Sequence, residues 1–158
     1  MVLRQTPLPQ KVPEPAAGAG TLSVERAVDG DTVVMSDGTR VRYIGVDTPE
    51  LHHPRKPVEA YAKEAWEFNR SLVEGKPVRL EYDLDKHDRY HRLLAYVYLE
   101  DGTFVNAELV KQGYAHVYTK PPNVRHAKEF LALQKEAREA GRGLWAPPPS
   151  DLESASTH

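Results

Sequence analysis

The stretch DGDTVVMSDGTRVRYIGVDTPE, residues 29–50, decides the fold. Within it DTVVMS (31–36) and RVRYIGV (40–46) are apolar, β-branched runs joined by Asp37-Gly38, the signal of a two-residue hairpin turn. The preceding TLSVERAV (21–28) reads as a further strand, so the folded chain opens as a β-meander. The far end of the stretch raises a chemical question. A run that reads as buried strand up to Val46 stops in Asp47-Thr48-Pro49-Glu50, placing two carboxylates three residues apart at the mouth of a core.

Working outward, VEAYAKEAWEFNRSLV (58–73) carries Val58, Tyr61, Ala62, Ala65, Asn69 and Leu72 at helical spacing, closed by Gly75 and Pro77. Strands PVRLEYDL (77–84) and LLAYVYL (93–99) follow, separated by the polar loop DKHDRYHR (85–92). After the Asp101-Gly102 turn, a short helix runs from an Asn106 cap to Gly113. A last helix spans 124–141, with Val124, Ala127, Leu131, Gln134 and Ala137 along one side. Five strands with a helix inserted after the third predict an α+β fold: a small closed barrel of the oligonucleotide-binding type (OB-fold) with helices packed outside.

The chain has 158 residues, enough for one domain. The Pro-, Ala- and Gly-rich residues 1–20 and the segment 146–158 have no apolar periodicity and read as flexible tails, leaving 21–145 as the folded unit. There is no cysteine, which excludes disulfides, thiolate metal sites and a Cys nucleophile. No apolar run approaches the roughly 20 residues that span a bilayer, so no membrane association is expected. Localisation stays open between a cytoplasmic protein and a secreted one whose signal has been removed. A formal charge of −2 gives no global attraction to polyanions, so any nucleic-acid binding must come from local clusters of Arg and Lys.

Three polar groupings break the strand pattern, and each has a plain structural explanation beside a chemical one. In VDGDT, Asp-Gly makes a turn; alternatively Asp31 is an oxygen ligand for a hard cation. In VDTPE, Asp47 caps a strand that Pro49 ends; alternatively Asp47 and the Thr48 carbonyl share that cation, and Glu50, further out, activates a water. Arg42 falls by alternation on the same side as Ile44 and Val46, where an arginine needs a partner such as Glu50 or Asp31. Arg92, at the threshold of LLAYVYL, is an exposed strand-start cation or one half of an arginine pair suited to phosphate, whose oxygens the planar guanidinium fork binds two at a time. Tyr90, alone among the later tyrosines, sits in a polar loop where it can contact a phosphate or stack on a base. The adjacent His52 and His53 diverge in an extended loop and do not make a zinc site.

Taken in order, DGDT, R-x-x-x-x-D-T-P-E, D-R-Y-x-R-x-L-A-Y-V, VN-x-x-LV-x-x-G-x-A and G-L-W resemble the staphylococcal nuclease (thermonuclease) family across residues 21–145. The resemblance implies an OB-type barrel with three helices and a nuclease that uses one Ca²⁺ ion to cut DNA and RNA with little sequence specificity, leaving 3′-phosphates. It implies Asp31 and Asp47 as side-chain ligands of the ion and Thr48 as a carbonyl ligand. Glu50 would position or deprotonate the attacking water, Arg42 and Arg92 would hold the scissile phosphate, and Arg89 and Tyr90 would contact a neighbouring one. The expected substrate is single-stranded or frayed nucleic acid and the expected state a monomer. The rival reading is a catalytically inactive OB-type module that binds single strands or a protein. His91 stands where the family usually has Gly, a position that favours positive φ. The YTKPPN segment departs from the family's usual loop length, so His116 and Tyr118 both stay open as a second nucleotide contact.

Overall fold

Residues 40–46 do not form one strand. The computed structural model describes residues 22–52 and 59–147, and in it β3 (Arg40–Tyr43) ends at a turn through Ile44 and Gly45 before β4 (Val46–Asp47) begins in a different sheet. Gly45 makes the break possible twice over. Its φ of 83° lies in the left-handed region, and a Cβ there would sit 2.6 Å from Cε2 of Phe130.

The main sheet comprises β1 (Val24–Asp29), β2 (Thr32–Met35), β3, β5 (Val78–Glu81) and β6 (Leu93–Leu99), in the order β1-β2-β3-β6-β5. All neighbours are antiparallel except β3 and β6, whose parallel pairing sets Val41 against Leu93 and Arg42 against Leu94. A parallel pair needs a long crossover, here filled by α1 (Ala62–Val73) and β5. The two edges of the sheet meet, because Ser23 bridges Pro77 and Val24 N–H donates to the Lys76 carbonyl at 3.0 Å. A small second sheet joins β4 to β7 (His116–Val117), and α2 (Val105–Lys111), α3 (Ala127–Ala140) and a 3₁₀ turn (Gly143–Trp145) complete the described α+β fold. The core comprises aliphatic and aromatic residues from both sheets and the three helices, among them Val33, Val41, Tyr43, Val97, Leu109 and Phe130.

Several sequence expectations are corrected in detail. The Asp37-Gly38 hairpin is a three-residue loop: Gly38 N–H donates to the Met35 carbonyl and Met35 N–H to the Thr39 carbonyl, with Gly38 at φ 91°. The first helix starts only at Ala62, because Tyr61 holds a left-handed φ of 68°. Asn106 is not a cap but a fully buried residue inside α2. Along α3 the buried positions are Phe130 and Ala137, while Leu131 and Val124 of the expected apolar side are exposed. The expected tails, His53 and Val58 lie outside the described residues, apart from the few tail positions at 146–147. None of the described helices is long and apolar enough to cross a membrane.

Candidate active site

The site is assembled where β2 starts, where β3 turns into β4, and where the loop before β6 returns. Asp29-Gly30-Asp31 forms a turn in which Asp31 N–H donates to Asp29 Oδ1 at 3.1 Å. Only glycine fits between the two acids, since a Cβ on Gly30 would lie 2.7 Å from Thr48 Oγ1 and 2.8 Å from Ala65 Cβ. That close approach lets the buried Asp31 carboxylate reach across to the strand end. Its Oδ2 accepts Thr48 N–H at 3.0 Å, and its Oδ1 accepts the Thr32 hydroxyl at 3.1 Å.

Arg42 completes this half. Its Nη1 donates to the carbonyls of Tyr43 and Val46, each at 2.7 Å, and so clasps the turn around Gly45. Its Nη2 lies 3.4 Å from Asp31 Oδ2 and 3.4 Å from Asp47 Oδ1. An arginine inside a strand is thus accounted for by two carboxylates and two carbonyls, and Asp47 joins the partner that alternation had suggested. Glu50 is not a partner of Arg42.

Positive charge is nonetheless short here. Burial, reinforced by the neighbouring Asp31, pushes the Asp29 carboxyl up to about 7. Asp47 is also raised, by partial desolvation first and by Asp31 second, with Arg42 only partly offsetting them, although its side chain is 59% exposed and the effect is correspondingly weak. Two carboxylates, Asp31 and Asp47, converge on one guanidinium with Asp29 beside Asp31, and the acceptors gathered here are all oxygen. Among the described residues no cluster of three or more His, Cys, Asp or Glu side chains forms a ready cage.

The second half is the loop 88–92, organised by Asp88. Its Oδ1 accepts the N–H groups of Tyr90 (2.9 Å) and Arg92 (3.0 Å), and its Oδ2 accepts Arg92 Nε at 2.7 Å. Burial alone would raise the Asp88 carboxyl, but the bonds from Arg92 and Tyr90 outweigh it and hold the group below its ordinary range. His91 takes φ 67°, the conformation expected for a position that favours glycine. With Nε committed to Asp88, no protein partner among the described residues takes the Nη groups of Arg92. Because Arg42 is the cross-strand partner of Leu94, two residues after Arg92, both arginines line one cleft of about 640 Å³ together with Asp47, Arg89, Tyr90 and Tyr118. Arg89 reaches the Tyr90 hydroxyl at 3.0 Å, and the guanidinium carbons of Arg89 and Arg92 lie 5.2 and 5.4 Å from the centroid of its ring.

The remaining expectations divide. Thr48 is buried beside Asp31, and its Oγ1 has no hydrogen-bond partner. Glu50 is exposed beyond Pro49 and does not line the cleft; its N–H donates to Glu59 Oε1 at 2.7 Å. His116 lies opposite Asp47 in the β4–β7 ladder with its ring 5.1 Å from that of Trp145, so of the two open nucleotide contacts Tyr118 is the one in the cleft.

Two supporting residues escaped the sequence reading. Asp88 organises the Arg92 loop, and its signal is that of an Asx turn, an Asp whose carboxylate bonds amides a few residues ahead. Asn106 accepts Val97 N–H and donates to the Ile44 carbonyl, both at 2.9 Å, tying β6 to the turn that carries Arg42's acceptors. Its signal is helical spacing to Leu109 and Val110, which marks it as core-facing.

A family profile described as "Staphylococcal nuclease homologue" matches residues 40–147. The chain belongs to the staphylococcal nuclease family. It is 43% identical over 125 residues to a thermonuclease of Staphylococcus intermedius, covering 77% of this chain and 74% of that protein. It is 40% identical over 133 residues to a thermonuclease of Staphylococcus hyicus, with 82% and 78% covered. Endonuclease YncB of Bacillus subtilis (strain 168) is 39% identical over 130 residues, 79% of this chain and 61% of that protein. As a member of the family the chain is a nuclease, a hydrolase.

Proposed function

We propose that this nuclease is Ca²⁺-dependent, hydrolyses DNA and RNA with little sequence specificity, acts as a monomer on single or frayed strands, and leaves 3′-phosphates. The observation that carries the reading is the convergence of Asp31 and Asp47 on one Arg42 nitrogen, at 3.4 Å each, beside a cleft that Arg42, Asp47 and Arg92 line. Membership of the family implies a metal-dependent enzyme, and the residues fit a hard cation. Their donors are all oxygen, and the raised Asp29 and Asp47 carboxyls mark a site short of positive charge. Asp31, Asp47 and the Thr48 carbonyl would hold the ion. When bound, it supplies Lewis-acid charge beside the phosphate.

The chain's own residues divide the remaining work. A phosphodiester is an anion and repels an incoming nucleophile, so hydrolysis needs cations at its oxygens and an aligned water. Arg92, aimed by Asp88, offers its unpartnered Nη groups to the scissile phosphate, and Arg42 faces the same cleft as the second guanidinium. Glu50, exposed beyond Pro49 and outside the cleft lining, is the carboxylate assigned to take a proton from the attacking water. As the water oxygen bonds to phosphorus, the bond to the 5′-oxygen breaks and that oxygen takes a proton, which leaves the phosphate on the 3′ side. Arg89 and Tyr90 contact the neighbouring phosphate, and Tyr118 offers a face for a base.

Release of acid-soluble nucleotides from single-stranded DNA, with Ca²⁺ and with chelator, tests this reading. Cleavage in Ca²⁺ alone is expected. Equal cleavage in chelator would refute the metal, and oligonucleotide binding without turnover would identify a binding module instead.

A further inference from the structure

The cations of the cleft are not equivalent. Arg42 is engaged by Asp31 and Asp47, and Arg92 by Asp88. Among the described residues Arg89 meets no carboxylate: its guanidinium donates to the Tyr90 hydroxyl and lies over the Tyr90 ring. Lys120, which also lines the cleft, has no hydrogen-bond or ion-pair partner for its ammonium among the described residues. The positive charge still available to a polyanion beyond the catalytic centre therefore sits on two side chains, one on each wall.

Each wall pairs its cation with an exposed tyrosine. Arg89 is adjacent to Tyr90, which is 63% exposed, and Lys120 stands two residues after Tyr118, which is 49% exposed. Residues two apart in extended chain share a face, and here Tyr118 and Lys120 line the cleft while Thr119 does not. The wall is anchored by the Tyr118 N–H bond to the Gly45 carbonyl at 2.9 Å and by Asn123, whose side chain accepts Asp85 N–H and donates to the Asp85 carbonyl.

Resting on the nuclease reading above, we propose that Lys120 is a substrate-positioning residue. It grips a phosphate other than the scissile one, so that the strand is held by cations on both walls. With a chain of net charge −2, an unpaired cation of this kind has a disproportionate share in retaining a polyanion.

The test compares wild type, Lys120→Ala, Lys120→Glu and the surface control Lys128→Glu, using (dT)₁₀ and the single-phosphate substrate TpT across a range of salt. Neutralising one phosphate contact on a single strand contributes about 0.7 to the slope of log affinity against log salt. Lys120→Ala should lower the magnitude of that slope by about this much and raise KM for (dT)₁₀ by up to about fivefold. The effect should fall on KM rather than kcat and be larger on (dT)₁₀ than on TpT, with Lys120→Glu worse than Lys128→Glu. An unchanged salt slope, an equal loss on both substrates, or equal effects of the two charge reversals would overturn the proposal while the nuclease reading stands. If the wild type neither binds nor cleaves either substrate, the underlying reading is what fails.

Discussion

Replacing Asn106 by Ala should be among the most damaging single changes outside the cleft. Asn106 is fully buried, and its amide serves Val97 N–H and the Ile44 carbonyl at 2.9 Å each; a third contact, to the Ala95 carbonyl at 3.4 Å, is longer, and that carbonyl keeps its bond from Ile44 N–H. Truncation therefore strands one donor and one acceptor in the core. Each orphaned buried group costs about 1–3 kcal/mol, so the expected loss is roughly 2–6 kcal/mol, a large fraction of the about 5–15 kcal/mol that holds a typical domain together. The assay is urea unfolding followed by tryptophan fluorescence in chelator, with specific activity measured separately under conditions where the variant is folded. Activity should fall as well, because the Ile44–Gly45 turn carries the Tyr43 and Val46 carbonyls that Arg42 clasps. Asn106→Asp keeps the acceptor for Val97 but needs a proton to donate to Ile44, so its deficit should shrink as pH falls. A loss below about 1 kcal/mol for Asn106→Ala with an unchanged denaturant slope would refute the assignment of these two bonds as the link between β6 and the turn.

Two further outcomes are expected. Arg42→Ala and Arg92→Ala should each lower turnover of single-stranded DNA at least about 100-fold, the scale of removing one transition-state donor. Asp88→Ala should reproduce part of the Arg92 effect by releasing its Nε; unchanged rates in all three would remove the arginines from the mechanism. The third prediction concerns pH. The Asp29 carboxyl titrates near 7 when folded and near 3.8 otherwise, so between those values the folded state binds more protons than the unfolded one. The metal-free protein should therefore lose stability as pH rises through this window, and Asp29→Asn should remove that slope, melting above wild type at pH 8 and converging with it near pH 4. Melting curves in chelator that are parallel at every pH would contradict it.

The α+β class, the order of elements and the identity of the site segments were legible because alternation, Asp-Gly turns and helical spacing are local signals. What was not legible depends on contacts distant in sequence. RVRYIGV reads as one strand by composition, and only the Phe130 ring packed against Gly45 shows why it must bend there. The apolar side of the last helix was assigned from Val124, Ala127, Leu131, Gln134 and Ala137; Ala137 is buried, but tertiary packing buries Phe130 and leaves Leu131 and Val124 exposed. The motif spacing marked Asp31, Arg42 and Asp47, and the structure joins them, yet Asp29's burial beside Asp31 could not be read from a turn that is ordinary in sequence. Asn106 stood in the sequence as a cap because Asn favours that position, but the backbone caps α2 two residues earlier, at Phe104, and turns the Asn106 amide inward.

The parallel pairing of β3 with β6 also sets the order in which the enzyme gains its teeth. Arg42 and Arg92 are 50 residues apart, and they reach one cleft only when Leu94 docks beside Arg42 across the whole crossover. The meander β1-β2-β3, built from neighbours in sequence, can form sooner because its loops are short. In a refolding experiment, recovery of nuclease activity should therefore report closure of that long loop rather than collapse of the core. A chain still emerging during synthesis should lack the assembled cleft until Arg92 and Leu94 have been made.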